Sequence, residues 1–261
     1  SHVLNYELAM MAWFAGCVAR PIPTGDGVLS WDRIHREIRP LGPHRAPTGM
    51  IELENTHNLA GGTVMPVETM NEICGAAHEL GLKVHLDGAR IFNAAESLGT
   101  TVSQLAAGAD TVMFCLSKGL CAPAGSLLVG SEDAIAVGRL YRKRLGGGMR
   151  QAGILAAAGL IALEEMPQRL SEDHANARFL AEALDRLPGI RVTHRVETNI
   201  VIFDVTGAGI DAPTLSERLR ERGVLINAID ATLMRLVTHH DADRSACERA
   251  LAAIEQSASK P

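Results

Sequence analysis

Cysteine patterns that form disulfide frameworks or zinc sites are missing from this chain of 261 residues. Its five cysteines are scattered and form no CxxC pair: Cys17, Cys74, Cys115, Cys121 and Cys247. An odd number of dispersed thiols argues against both kinds of cross-link and favours the reducing cytoplasm. We therefore expect no structural metal and a cytoplasmic location.

The sequence also lacks the features that bring a protein to nucleic acid or to a membrane. Its formal net charge is -5, so no basic excess is available to neutralise phosphates. No apolar run reaches the roughly 18 residues of a membrane-spanning helix, and no basic-then-apolar leader is visible. We expect neither nucleic acid nor membrane among the partners.

An alternation of strand and helix patterns is what the chain does contain. Strands are predicted over 50–55, 83–87 and 111–116, and a helix between the first two opens at Pro66 and stops at Gly81. This order predicts an α/β fold in which a parallel-rich sheet is sandwiched by helices.

The two ends of the chain differ from this central pattern. The apolar stretch 4–15 predicts a helix, and Cys17–Arg20 predicts a short strand. From about Met149 a long alanine-rich helix leads into a smaller α+β region. We therefore predict an incomplete large domain over 1–148 and a second region over 149–261.

Three chemically reactive residues follow predicted strands at one edge of the sheet. His57 follows strand 50–55, Asp87 ends strand 83–87, and Lys118 follows strand 111–116. Ligands of parallel α/β sheets bind in the crevice at the carboxyl ends of the strands. We therefore expect these three side chains to lie close together.

Each of the three also has an ordinary structural explanation. Lys118 either extends into water or acts as a nucleophilic amine that forms an imine. Asp87 either caps a turn or pairs with a protonated pyridine nitrogen, which preserves a cofactor's capacity to accept electrons. His57 is either structural or a base near neutral pH. Because Asp87 and Lys118 both close strands, their combination favours an enzyme that uses pyridoxal 5'-phosphate (PLP).

Three arginines are further candidates. Arg90 follows Asp87 closely, and its fork of donors suits either a carboxylate or a surface salt bridge. Arg150 follows the turn 146–148, which either delivers it to a phosphate or neighbouring subunit or is a flexible connector. Arg235 interrupts an apolar strand and needs a partner, for which an amino-acid carboxylate is suitable.

Six segments carry motifs in a characteristic order: LENTHN at 53–58, HLDGARIFNA at 85–94, LSKGL at 116–120, GSLLVG at 125–130, GGGMRQ at 146–151 and RLVTH at 235–239. Together they resemble the low-specificity L-threonine aldolases, which are fold-type I PLP enzymes of the β-eliminating lyase superfamily. The resemblance runs from His2 to the last predicted helix. It implies aldol cleavage of β-hydroxy-α-amino acids to glycine and an aldehyde.

The resemblance also implies roles for individual residues around the cofactor. Lys118 would form the Schiff base with PLP, next to Ser117, and Asp87 would face the pyridine nitrogen. His2 would stack on the cofactor ring, and His57 would handle the proton of the substrate hydroxyl.

The same resemblance extends to the substrate and to the assembly. Arg90 and Arg235 would surround the substrate carboxylate, with Arg90 also near the cofactor. Arg150 would reach the phosphate from the same or an adjacent chain. A small amino-acid substrate is implied, as is a homo-oligomer, either a dimer or a tetramer, with sites at the interface.

One part of the family pattern has no counterpart in these residues. It is the N-terminal portion of roughly 80 to 90 residues, with the helix N-terminus that cradles the phosphate. The chain is therefore expected to be either a fragment or naturally short. Two alternatives stay open: another β-eliminating lyase or amino-acid racemase of this fold, and an inactive fragment that only associates with partner chains. Serine hydroxymethyl transfer is disfavoured, because Ser117 stands where a histidine is expected.

Overall fold

The computed structural model describes residues 1–258 and divides into two compact units. The first contains Ser1–Leu59 and Val64–Gln168. The second contains Ala60–Thr63 and the chain from Arg169 onward. Cofactor binding by 1–148 and a separate region over 149–261 stay predictions.

The first unit is built on a four-stranded sheet in the order β1-β2-β3-β4. Its strands are β1 (Met50–Glu54), β2 (Lys83–Asp87), β3 (Thr111–Cys115) and β4 (Ser126–Gly130). β1, β2 and β3 are parallel, whereas β4 is antiparallel to β3. The predicted α/β class with a parallel-rich sheet is confirmed. The chain between β3 and β4 is too short for a parallel crossover, which needs a dozen or more residues.

Helices surround this sheet at the positions that the sequence indicates, with one exception at the amino end. They are α1 (His2–Asn5), α2 (Met10–Ala15), α3 (Trp31–Glu37), α4 (Val67–Glu79), α5 (Ile91–Leu98), α6 (Val102–Ala106), α7 (Glu132–Arg144) and α8 (Gly153–Glu164). In α4 the buried side chains recur at helical spacing, at Met70, Ile73, Cys74 and Ala77, which is why this segment folds as a helix against the core.

The single helix predicted over 4–15 is wrong, because the structure breaks it between α1 and α2. Leu8 and Ala9 adopt the left-handed backbone conformation with φ of 51° and 57°. No residue of either helix is buried, so no core packing holds one continuous helix together. The strand predicted at Cys17–Arg20 is also wrong, since these residues pair with no strand.

The two faces of β1 and β2 have different chemistry, and this positions the candidate site. Alternate residues such as Leu53 and Leu86 are fully buried in the hydrophobic core with α4 and α5. The intervening positions carry polar side chains: Glu52, Glu54, His85 and Asp87. Because side chains alternate across a strand, these four groups share the other face of the sheet.

The second unit is a smaller α+β arrangement with an antiparallel sheet in the order β5-β6-β8-β7. Its elements are α9 (Leu170–Leu184), β5 (Arg191–Val192), β6 (Ile200–Asp204), α10 (Ala212–Glu221), β7 (Asn227–Ala228), β8 (Leu233–Val237) and α11 (Arg244–Ala258). Its core packs β6, including the fully buried Phe203, against apolar residues of α9, α10 and α11.

Within residues 1–258, no helix combines the length and the apolar character needed to cross a bilayer.

Candidate active site

The loops that follow β1 and β2 are each bound to the neighbouring strand at one edge of the sheet. The amide of Asn55 donates to the carbonyl of Asp87 at 2.9 Å, and the amide of Gly88 donates to the carbonyl of Met113 at 2.8 Å. His57 lies three residues beyond the end of β1, and Lys118 lies three residues beyond the end of β3. The structure therefore brings His57, Asp87 and Lys118 to the same edge, as the strand order predicts.

Asp87 is half-buried at the end of β2, where its loop turns sharply. Its Oδ1 accepts a hydrogen bond from the amide of Ala89 at 3.0 Å. A side chain on Gly88 would meet the carbonyl oxygen of Met113 at 3.0 Å, so this turn requires a small residue. The carboxylate is thereby oriented by its own loop, whose backbone is bound to β3.

Glu54 connects three segments of the candidate site and was missed by sequence reasoning. Its side chain is 4% exposed. Its Oε1 accepts from the amide of Asn58 at 2.8 Å, and its Oε2 accepts from the amide of His2 at 2.7 Å. The Nε2 atom of His57 lies 4.0 Å from the same Oε2. The available signal was an acidic residue at the buried end of a strand.

His57 is mostly buried beside this carboxylate. Burial lowers the pKa of His57, and the negative charge of Glu54 acts in the opposite direction. Because the net effect is a lowered pKa, the imidazole is neutral at pH 7. A neutral imidazole can accept a proton, which a structural imidazolium could not do.

Arg90 is half-buried and lies next to the loop that carries His57. Its Nη1 donates to Oδ1 of Asn58 at 3.4 Å, while the amide of Asn58 is bound by Glu54. A guanidinium therefore lies at the same sheet edge as Asp87. His2 is also attached to this edge, and its Nδ1 lies 2.9 Å from Oε1 of Glu7.

The loop that carries Lys118 is compact. The carbonyl of Lys118 accepts from the amide of Cys121 at 2.9 Å, and the carbonyl of Leu116 accepts from the amide of Ala122 at 3.0 Å. Lys118 is half-buried, while Ser117 beside it is exposed. The backbone thus holds the lysine in a defined turn at the end of β3.

Two predicted residues lie on other elements of the chain. Arg150 is exposed between α7 and α8. Arg235 lies in β8 of the second unit, opposite Ile202 and Asn227 in the sheet. Their roles stay predictions.

The donor set at this edge suits PLP. Asp87 offers a carboxylate for a pyridine nitrogen, Lys118 offers an amine for an aldehyde, and Arg90 offers a guanidinium for an anion. Within the part of the chain that the structure describes, no group of three or more histidine, cysteine, aspartate or glutamate side chains is arranged to hold a metal ion.

Comparisons with known proteins agree with this geometry. The family model described as beta-eliminating lyase matches residues 1–208. Low-specificity L-threonine aldolase 1 of Arabidopsis thaliana is 40% identical over 260 residues, which cover 98% of this chain and 73% of the relative. An alanine racemase of Cochliobolus carbonum, TOXG, is 32% identical over 258 residues, covering 95% of this chain and 64% of that protein.

A solved structure of the Leishmania major threonine aldolase has the same fold. It superposes with a TM-score of 0.79 at 20% sequence identity, over 99% of this chain and 75% of that one. The chain thus spans about three quarters of the length of these aldolases. On the family match and the 40% identity, this protein belongs to the beta-eliminating lyase family and, within it, to the low-specificity L-threonine aldolases.

Proposed function

We propose that this protein cleaves L-threonine, L-allo-threonine and related β-hydroxy-α-amino acids to glycine and an aldehyde, with PLP as its cofactor. The observation that carries the proposal is the convergence of Asp87, His57 and Lys118 at the carboxyl edge of three parallel strands. The aldolase names of its relatives support the same chemistry.

The residues of this chain would divide the work around the cofactor. PLP, when bound, supplies an electron sink for the negative charge that forms on the substrate Cα. The amine of Lys118 is the group that would hold the aldehyde of PLP, with Ser117 beside it. The carboxylate of Asp87 would keep a proton on the pyridine nitrogen, and the imidazole of His2 would lie against the ring.

His57 is the proposed base of the bond-breaking step. Its neutral imidazole takes the proton of the substrate β-hydroxyl, and the electrons of that O–H bond form the carbonyl of the aldehyde. The Cα–Cβ bond breaks at the same time, and Cα then takes up a proton to give glycine. The lowered pKa of His57 supports this role, because a protonated imidazole could not act as the base.

Three arginines are proposed as anion ligands. Arg90 and Arg235 would bind the substrate carboxylate through their paired donors, and Arg150 would reach the cofactor phosphate from the same or an adjacent chain. Arg90 has the best support, because its contact with Asn58 attaches it to the loop that carries His57.

We also propose a homo-oligomer, either a dimer or a tetramer, in the cytoplasm. Several large apolar side chains of the first unit are strongly exposed: Leu8, Trp13, Val18, Met149 and Ile154. Such surfaces commonly mark protein interfaces. The five cysteines are free, which suits a reducing compartment.

The test is product analysis with purified protein, PLP and L-threonine or L-allo-threonine. Acetaldehyde is followed with alcohol dehydrogenase and NADH, and glycine is quantified in the same samples. We expect equal amounts of the two products. Release of ammonia and 2-oxobutanoate without acetaldehyde would identify an eliminating lyase instead and contradict the proposal.

A racemase is the second candidate, because the related TOXG is named as an alanine racemase. Chiral chromatography after incubation with L-alanine distinguishes the two functions. D-alanine formation without acetaldehyde release from threonine would favour the racemase.

A further inference from the structure

We infer that Glu54 is a positioning residue of this active site, holding the loop of His57 and the segment of His2 beside Asp87. The inference deepens the proposed function, and it rests on that function for the role of His57 as a base. Glu54 itself touches neither PLP nor substrate in this assignment. It acts through the residues that it holds.

The contacts of Glu54 join parts of the chain that are distant in sequence. One oxygen binds the amide of Asn58 in the loop that follows β1, and the other binds the amide of His2, which is 52 residues away. Glu54 is also the register partner of Asp87 in the parallel pair β1–β2, so the two side chains leave the sheet on the same face. One carboxylate therefore fixes two segments beside Asp87, the proposed partner of the pyridine nitrogen.

Burial of a carboxylate in this location is unfavourable unless hydrogen-bond donors compensate its charge. Burying an ionised group without partners is strongly unfavourable, and the Glu54 side chain is almost fully buried. Each of its oxygens receives an amide donor, and hydrogen bonds to a charged acceptor are stronger than neutral ones. An apolar residue would pack at this position without that cost, but it would leave both amides without their acceptor.

Glu54 also acts on His57 through its charge. The charged and titratable groups with the largest effects on His57 are Glu54, the α-amino group of Ser1, Asp26 and Asp87. Among these, Glu54 has the largest electrostatic effect, and its negative charge favours the imidazolium form. Removal of that charge should therefore make His57 harder to protonate.

The test compares Glu54→Gln with the matched control Glu52→Gln in the full 261-residue chain. Both residues lie on the same face of β1, but it is the charge of Glu54 that acts most strongly on His57. Histidine ring signals are titrated by NMR without PLP or substrate. We expect the His57 midpoint to fall by about one pH unit in Glu54→Gln and to stay unchanged in Glu52→Gln. An unchanged midpoint in Glu54→Gln would overturn the inference.

Kinetics supply the second readout. In Glu54→Gln we expect kcat/KM for threonine cleavage to fall about tenfold and the acidic limb of its pH profile to move to lower pH. A loss of kcat with an unshifted acidic limb would assign Glu54 a purely structural role. Because the NMR titration needs no turnover, a failure of the proposed reaction in the wild-type protein is distinguishable from a failure of this inference.

Amide hydrogen exchange in the wild-type protein covers the case in which Glu54→Gln does not fold. If Glu54 holds both segments, the amides of His2 and Asn58 are both protected from exchange. Exchange of these two amides as fast as that of exposed loop residues would contradict the inference.

Discussion

The side chains of Glu52 and Asp87 lie on the same face of neighbouring parallel strands, and their negative charges repel each other. Burial, followed by the charges of Asp87 and Glu54, raises the pKa of Glu52 to about 7. A contact with Ser1 and its α-amino group partly offsets this effect. Glu52 therefore changes its charge near neutral pH, unlike an exposed glutamate.

Glu52→Gln is expected to stabilise the fold above pH 7. The raised pKa means that the folded protein binds this proton more tightly than the unfolded chain does. Folding stability is therefore lost as the pH rises from about 4.5 toward 7 and is constant above that range. At pH 8 we expect the variant to be more stable than the wild type by about 2 kcal/mol.

Urea denaturation at pH 5 and pH 8 measures this difference. The difference in unfolding free energy between Glu52→Gln and the wild type should be smaller at pH 5, where the Glu52 carboxyl of the folded wild type is largely protonated. A variant that is less stable than the wild type at pH 8 would show that the buried carboxylate is compensated by contacts beyond those with Ser1.

Lys118→Ala is expected to abolish the visible absorbance band that PLP gives on binding, together with threonine cleavage. The reason is that the amine at the end of β3 would hold the cofactor aldehyde. Lys83 is the control, because it begins β2 and therefore lies at the opposite edge of the sheet. Lys83→Ala should keep the band. Borohydride reduction followed by peptide mapping should place the label on Lys118, and a label on Lys83 would contradict the assignment.

Arg169→Ala should destabilise the protein by about 3 kcal/mol, because it removes the partner of a buried charge. Two nitrogens of Arg169 bind Asp173, whose side chain is fully buried, at 3.1 Å and 2.6 Å. The exposed pair Arg220–Glu217 provides the control. Arg220→Ala should change the unfolding free energy by less than about 0.5 kcal/mol. Equal urea midpoints for the two variants would contradict this expectation.

Gly189→Ala is expected to be more damaging than Gly99→Ala, although both glycines have positive φ, 78° and 62°. The strain of a left-handed alanine, about 1 kcal/mol, is common to both. A Cβ at position 189 would in addition overlap the backbone of Gly207, whereas nothing lies within 4 Å at position 99. We expect a total loss of roughly 3 kcal/mol for Gly189→Ala and of about 1 kcal/mol for Gly99→Ala, each measured as the change in unfolding free energy relative to the wild type.

The sequence was sufficient to predict the central strands and the edge at which the site lies. β1, β2 and β3 end within one residue of their predicted ends, because strand alternation and helix stops are local signals. The antiparallel direction of β4 could also be predicted, since the short connection from β3 excludes a parallel crossover. The break between α1 and α2 at Leu8 and Ala9 could not be predicted, because neither residue type favours the left-handed conformation.

For the site, proximity could be predicted only where the sheet enforces it. The direction of the parallel strands places His57, Asp87 and Lys118 at one edge, and this placement does not depend on the detailed conformation of their loops. The bond from His2 to Glu54 spans most of the chain before β1 and has no local pattern. Long-range contacts of this kind depend on how loops close, which residue spacing does not encode.

The segment Ala60–Thr63 has a consequence for any attempt to dissect this protein. The chain passes between the two units three times: before Ala60, after Thr63 and after Gln168. Within the second unit, the hydroxyl of Thr198 donates to the carbonyl of Gly62 at 2.7 Å. A gene divided after Gln168 would therefore not encode two self-sufficient domains. The amino-terminal product would contain Ala60–Thr63, but Thr198, which donates the hydrogen bond to Gly62, would lie in the carboxyl-terminal product.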